Sequence, residues 1–186
     1  DLFFKRYATK ELQQFSSPGK DKPKKIEEHR KDPRLTKGPI IVSIDTSGSM
    51  SGQPQRIAFS LLKQLLRMAK KQKRPCYLIS FSVRSKSIDL AKPRNWRMID
   101  NFLEHSYSGG TDGEQMLAEA IRVLQKGTYE MADVLIVSDF EFPVPNPSTI
   151  EKIDKEKALG TRFYGLKIGH YGVKGYRHIM DKIWEV

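Results

Sequence analysis

Five side chains that end in oxygen occupy three short stretches of this sequence. They are Asp45, Ser47, Ser49, Thr111 and Asp139. Two carboxylates and three hydroxyls, with no histidine or thiol among them, suit a hard cation such as Mg²⁺, for which Mn²⁺ can substitute. Because so few protein charges would surround it, the cation would stay electrophilic and keep room for one more ligand. A carboxylate from a binding partner is the natural candidate.

The local sequence favours convergence of these oxygens. Ser47 and Ser49 lie two residues apart, so an extended turn directs both hydroxyls the same way, and Gly48 allows the backbone to bend between them. Thr111 lies in a glycine-rich loop that can move at little steric cost. The neighbouring Asp112 has two possible roles, either to support the metal ligands from behind or to cap the helix that follows, and the cap is favoured.

The elements that must position these residues alternate along the chain. Strands are predicted at 40–45, 76–83, 134–138 and 162–168, with 87–90 as a short hairpin partner of the second. Helices are predicted at 53–71, 96–103, 116–124, 150–159 and over the tail 175–186. This alternation predicts an α/β fold, an open, doubly wound, mostly parallel sheet flanked by helices, with one short antiparallel edge strand. Such sheets bind ligands at the carboxyl ends of their strands, where the five residues stand.

The first 37 residues differ in character from the rest. Residues 2–15 predict a short amphipathic helix, and 16–25 read as a lysine-rich linker with almost no apolar residues. We therefore place the domain at 38–186 and expect 1–37 to be the remnant of a larger protein. The chain contains no run of 18 apolar residues, so no membrane span is predicted.

The sequence offers little support for catalysis. A phosphotransfer aspartate at Asp45 would need a second aspartate two residues later, and Ser47 stands there. No nearby motif supplies a histidine to activate Ser47 or Ser49 as a nucleophile, and no phosphate-binding P-loop motif occurs. The prediction is a binding module and not an enzyme.

The spacing of the oxygen ligands resembles a known site. Asp45-x-Ser47-x-Ser49, together with Thr111 and Asp139, resembles the metal-ion-dependent adhesion site of von Willebrand factor A (VWA) domains. The resemblance covers 38–186 and fills all five positions. It implies that the serines and the threonine coordinate Mg²⁺, that the aspartates bind it directly or through water, and that a partner's Asp or Glu completes the coordination. Taken alone, the 45–49 cluster could equally be a helix cap and turn.

Within that family the chain looks most similar to the C-terminal domain of ViaA-type proteins. The stretches that carry this resemblance are 2–7, 38–42, 45–50 and 183–186. It implies a bacterial adaptor that works with a MoxR-class AAA+ ATPase (RavA-like) in a chaperone-like or complex-assembly activity. It also implies a cytoplasmic location, with a peripheral position at the inner membrane as one option. The single cysteine, Cys76, agrees with a reducing compartment.

Apolar side chains beside the predicted site have two interpretations. Phe140 and Phe142 follow the metal-site strand directly, and Met50 and Tyr107 flank the other loops. They could form an apolar rim that contacts a partner, since aromatic residues are common at interface cores. Alternatively, they could fold back into the core.

The charge of the chain supports a second functional interpretation. Lysine and arginine number 33 against 22 acidic residues, a net charge of +11, and residues 1–38 hold a surplus of five. The alternative to a metal-dependent adaptor is therefore a non-catalytic scaffold with a vestigial metal site, which binds anionic lipid or acidic proteins through a basic surface. Nucleic acid is disfavoured because the lysine-rich linker has no interleaved aromatic residues.

Overall fold

A six-stranded sheet organises the part of the chain that the structure describes. The computed structural model describes residues 38–104, 110–169, 172–173 and 175–186, all within one compact unit, Gly38–Val186. The helix and linker predicted for residues 1–37 lie outside the described residues, and so does Tyr107.

The strands and their order confirm the predicted fold class. They are β1 (Ile40–Asp45), β2 (Cys76–Phe81), β3 (Ser85–Asp89), β4 (Asp133–Ser138), β5 (Arg162–Lys167) and β6 (Lys182–Glu185). Their order across the sheet is β3-β2-β1-β4-β5-β6. Every neighbouring pair is parallel except β2 and β3, which form the expected antiparallel hairpin at one edge.

The helices follow the apolar periodicity of the sequence. They are α1 (Gln53–Lys71), α2 (Ile99–Glu104), α3 (Gly113–Leu124) and α4 (Pro147–Ala158), with short 3₁₀ turns at Gly48–Met50, Pro93–Met98 and Gly127–Tyr129. In α1 the buried residues Ala58, Leu62, Leu65, Leu66 and Ala69 recur at three- and four-residue intervals, which defines one apolar face. No described helix is long and apolar enough to cross a bilayer.

The central strand is covered on both faces. All six residues of β1 are buried, as expected for a parallel strand between two helical layers. The chain leaves β1 toward β2 on one side, and β4 lies on the other side, so right-handed crossovers place α1 on one face and α3 and α4 on the opposite face. Helix α3 contacts β1, β2, β3 and α4. The strand order therefore reverses between β1 and β4, and their carboxyl ends meet at this switch point.

The predicted helix at 175–186 is wrong. The structure has a turn over 175–179, followed by β6, which pairs in parallel with β5. Ile183 packs against the main core cluster, and the centroid of the Trp184 ring lies 5.6 Å from that of Tyr164. Ile183 and Trp184 are adjacent in β6, so their side chains lie on opposite faces of the strand. The backbone of Val186 continues the pairing by donating to the Lys167 carbonyl at 2.9 Å.

Candidate metal centre

Asp45 is the most constrained residue of the candidate site. It ends β1 and is 1% exposed. Its Oδ1 accepts a hydrogen bond from the backbone N–H of Ser47 at 2.9 Å, and its Oδ2 accepts one from the Ser138 hydroxyl at 2.5 Å. Each carboxylate oxygen still has a second lone pair, so the group is held in place without being saturated.

Ser47 and Ser49 bring their hydroxyls together beside Asp45. Ser47 precedes the 3₁₀ turn Gly48–Met50, and its carbonyl accepts a hydrogen bond from the N–H of Met50 at 3.2 Å. The turn places the two Oγ atoms 3.0 Å apart, where the hydroxyls hydrogen-bond to each other. Two oxygens in adjacent positions of an octahedral Mg²⁺ shell, each about 2.1 Å from the ion, are themselves about 3.0 Å apart. The hydroxyl pair therefore fits a shared cation.

Asp139 enters the site from the neighbouring strand. It follows β4, is 4% exposed, and its Oδ1 accepts a hydrogen bond from the N–H of Glu141 at 3.0 Å. Phe140 has a φ of +61°, and its N–H donates to the Ser138 hydroxyl at 2.9 Å. Ser138 therefore accepts from the β4 loop and donates to Asp45, which connects the two strand ends.

The two carboxylates of the centre repel each other. Burial raises the pKa of Asp45, hydrogen bonds from Ser138 and Ser47 oppose that rise, and the charge of Asp139 adds to it. A bound cation would offset both the burial and the repulsion. Within the described ranges no three His, Cys, Asp or Glu side chains gather as a metal-binding group, so a cation here would also depend on hydroxyl oxygens and water.

The Thr111 loop lies at the same edge of the sheet. The N–H of Asp112 donates to the carbonyl of Ser82, just after β2, at 2.8 Å. The Asp112 side chain caps α3 by accepting from the N–H of Gln115 at 2.9 Å, which is the role the sequence favoured. Because the adjacent Asp112 bonds to the residue after β2, Thr111 lies at the carboxyl edge of the sheet, and it is partly exposed there.

Two of the apolar side chains beside the site follow the second interpretation and fold back into the core. Met50 is 0% and Phe140 is 3% exposed, so neither can form a contact surface. Phe142 is partly buried and packs edge-to-face against Phe81 and Tyr176, with ring centroids 5.8 and 4.9 Å away. The aromatic side chains next to the site pack beneath it because burying a phenylalanine is worth about 2–3 kcal/mol.

Sequence reasoning missed Ser138 as a residue of the site. It is the last residue of an otherwise apolar strand and immediately precedes Asp139. A hydroxyl at the end of a buried strand needs a hydrogen-bond partner, and the adjacent strand end offers Asp45. A serine at the end of one buried strand and an aspartate at the end of another could therefore have identified Ser138 from the sequence.

Comparisons with known proteins identify the fold. No protein-family model matches the sequence. A structure described as von Willebrand factor type A from Catenulispora acidiphila matches with a TM-score of 0.59 and 16% identity, over 81% of this chain and 38% of that chain. BatB from Bacteroides thetaiotaomicron matches with 0.58 and 14%, over 80% and 90% of the two chains. The SpRpn10 VWA domain matches with 0.60 and 13%, over 80% and 87%. The chain thus has a VWA fold.

Proposed function

We propose that this VWA-fold domain is a metal-dependent protein-binding module. Mg²⁺, or Mn²⁺ in its place, is held by Asp45, Ser47, Ser49, Thr111 and Asp139, and an Asp or Glu of a partner completes the coordination. The observation that carries the proposal is the pair of hydroxyls 3.0 Å apart beside a buried, doubly hydrogen-bonded carboxylate. Because the protein supplies only two carboxylates, the partner's negative charge contributes strongly to the bond.

The proposed partner is a MoxR-class AAA+ ATPase or its client. Similarity of the stretches 38–42, 45–50 and 183–186 to ViaA-type proteins supports this assignment. The domain would act as a non-enzymatic adaptor in a bacterial cytoplasm, with peripheral association at the inner membrane as a further possibility. Ser47 supports the non-enzymatic role, because it occupies the position where a phosphotransfer enzyme needs an acid.

Thermal unfolding against metal concentration tests the site directly. If the metal binds with a Kd of about 1 mM, then 10 mM MgCl₂ or MnCl₂ adds about 1.4 kcal/mol to the free energy of unfolding. For a domain of this size the melting temperature rises by about 3–6 °C. Asp139→Ala abolishes the rise, whereas Asp154→Ala, which removes an exposed carboxylate from α4, retains it. NaCl at equal ionic strength is the second control.

Capture of the ATPase partner tests the metal bridge itself. Binding is lost in EDTA and in Asp45→Ala, and it depends only moderately on NaCl. A complex that survives EDTA and shows full affinity with Asp45→Ala would contradict the metal-bridge mechanism, even if the domain alone binds Mg²⁺.

A further inference from the structure

The positive charge of the described domain is concentrated in one part of it. Residues 46–99 contain twelve lysines and arginines and one acidic residue, Asp89. This surplus of eleven equals the net charge of the whole chain, +11. The other parts of the sequence are therefore close to neutral in sum, and the basic region consists of α1, β2, β3 and the 3₁₀ turn Pro93–Met98.

Helix α1 presents a line of cations. Arg56, Lys63, Arg67 and Lys70 stand at i, i+7, i+11 and i+14, so they lie within one stripe of the helix surface, and all four are exposed. We call them the basic stripe. With a rise of 1.5 Å per residue, the stripe is about 21 Å long. Helix α1 contains no acidic residue that could neutralise it.

The 3₁₀ turn Pro93–Met98 lies beside the basic stripe. The Nζ of Lys63 is 3.5 Å from Asp100, and the Nζ of Lys70 lies 5.4 Å from the ring centroid of Trp96. The turn is fixed to the end of β3, because the Trp96 indole donates to the Leu90 carbonyl at 2.8 Å. The exposed cations that it adds next to the stripe are Lys92, Arg94 and Arg97.

Most of these cations have no acidic neighbour. Within the described residues, Lys63 is the only member of the stripe with a carboxylate within 4 Å, and both side chains of that pair are largely exposed, at 54% and 77%. Such surface pairs contribute little. Repulsion among like charges disfavours the folded state, so nothing within the described domain explains why they are clustered.

We propose that the basic stripe and the adjacent 3₁₀ turn bind an acidic segment of a protein partner, without help from the metal. Successive cations of the stripe are about 4.5–10.5 Å apart along the helix axis. Alternate side chains of an extended peptide are about 6.6 Å apart, so about seven residues rich in Asp and Glu span the stripe. The length of the stripe therefore matches a single acidic segment of this size.

Other polyanions fit this surface less well. The ring of Trp96 has Lys70 over its face and its N–H bonded to Leu90, so it does not offer a free platform on which a nucleic-acid base could stack. Val83 and Met98 are the only large apolar side chains with more than half of their surface exposed among residues 46–99, which gives a bilayer little to bury. The choice of a protein partner also rests on the proposed protein-binding function.

Fluorescence anisotropy with a labelled deca-glutamate peptide tests the proposal. The 186-residue chain is titrated in EDTA at 50 and 150 mM NaCl, with a deca-glutamine peptide as the neutral control. The triple variant Lys63→Gln, Arg67→Gln, Lys70→Gln weakens binding at least tenfold. The matched triple variant Lys152→Gln, Arg162→Gln, Arg177→Gln removes the same charge from exposed sites elsewhere and weakens it less than threefold. Circular dichroism confirms that both variants fold.

Equal losses in the two triple variants would show a non-specific effect of net charge and overturn the proposal, as would absence of deca-glutamate binding at 50 mM NaCl. A 20-base-pair DNA, or vesicles of phosphatidylglycerol in phosphatidylcholine, that bound more tightly than the peptide at 150 mM NaCl and lost binding in the stripe variant would overturn the choice of partner. Because EDTA is present throughout, a failure of the metal-bridge function leaves this result unaffected.

Discussion

The Ser138 hydroxyl makes two hydrogen bonds that connect the strand ends at the candidate metal centre. It donates to Asp45 and accepts from the N–H of Phe140. Ser138→Ala leaves a buried carboxylate oxygen and a buried N–H without these partners. We expect the free energy of unfolding in EDTA to fall by about 2 kcal/mol, measured by urea denaturation. The Mg²⁺-induced rise in melting temperature should also shrink, because Asp45 keeps only the hydrogen bond from the N–H of Ser47.

Ser43 provides a matched control for this substitution. It lies within β1 and is fully buried, and its hydroxyl has no hydrogen-bond partner in the described part of the chain. Ser43→Ala removes a buried hydroxyl whose desolvation is not offset by a hydrogen bond, so the free energy of unfolding should be unchanged or higher. If the two alanine variants lost similar stability, the role assigned to Ser138 would be wrong.

At the level of single residues, the sequence predicted where the carboxylates of the site lie better than it predicted which neighbouring side chains are buried. Asp45 and Asp139 were placed correctly at the ends of two strands, because a strand end and the polar residue that follows it are local properties of the sequence; the structure shows that these two strands are neighbours. The burial of Met50 and Phe140 was not predictable in this way. It depends on contacts with elements far along the chain, such as the 5.6 Å approach of the Phe140 and Tyr176 rings.

The first residue of α3 connects that helix to the loop after β4. A Cβ at Gly113 would clash with the Phe142 ring and would lie 2.8 Å from the Tyr176 hydroxyl. Gly113→Ala should therefore lower the free energy of unfolding by about 1–3 kcal/mol despite the better helix propensity of alanine. It should also weaken the response to Mg²⁺, because Thr111 lies two residues before the displaced helix start.

Gly110→Ala is the control for that variant. It lies in the same loop, and a Cβ there meets nothing within 4 Å among the residues that the structure describes. Its stability should stay within about 0.5 kcal/mol of the unmodified chain. Thermal melts of both variants with and without MgCl₂ check the prediction, and equal effects would refute the role of the Phe142 contact.

Glu119 connects α3 to the β2–β3 hairpin and makes stability depend on pH. Hydrogen bonds from Arg122 lower the pKa of Glu119, with further help from Ser87 and Tyr77. A carboxyl whose pKa is lower in the folded state stabilises the fold above its ordinary value of 4.5, and that contribution is lost as the pH falls through the folded pKa.

Glu119→Gln should therefore be less stable than the unmodified chain at pH 7 by about 1 kcal/mol. The difference should shrink progressively as the pH falls below 4.5 and through the lowered folded pKa, measured by urea denaturation at each pH. Glu151→Gln, at an exposed carboxylate paired with Lys155, should show little of this behaviour. A Glu119→Gln difference that stayed constant from pH 7 to pH 3 would contradict the assignment.

The one element that was predicted wrongly shows where periodicity fails. Ile179, Ile183 and Trp184 stand at i, i+4 and i+5, which also suits a helix. Strand β6 has only four residues, too few to display a period of two, and its partner β5 ends fifteen residues earlier. The open edge of β5 decides the outcome, because its free backbone groups accept a parallel strand.

At the scale of the whole molecule, two surfaces arise from one topology. The reversal of strand order between β1 and β4 places Asp45 and Asp139 side by side at the carboxyl edge. The same reversal puts α1 and α2 on one face, away from α3 and α4, so the outward side of α1 carries the basic stripe without acidic residues from α3 or α4. The sequence predicted the first surface. It did not locate the second, because the surplus of positive charge in residues 1–38 indicated the linker and not α1.

The clustered charge should make the stability of the chain depend on salt. At about 10 mM salt the Debye length is about 30 Å, longer than the stripe, and at 150 mM it is about 8 Å. Repulsion among Lys63, Arg67 and Lys70 is therefore screened as NaCl increases, and the melting temperature should rise by about 2 °C between these concentrations.

The triple variant Lys63→Gln, Arg67→Gln, Lys70→Gln should melt at a higher temperature than the unmodified chain at 10 mM NaCl, and its melting temperature should depend less on salt. The triple variant at 152, 162 and 177 should gain nothing, because Arg162 lies 3.6 Å from Asp181 and loses an attraction. Equal gains in both variants would show that total charge governs stability, whereas a gain confined to the stripe would show that the domain keeps a destabilising surface where we propose that it binds an acidic partner.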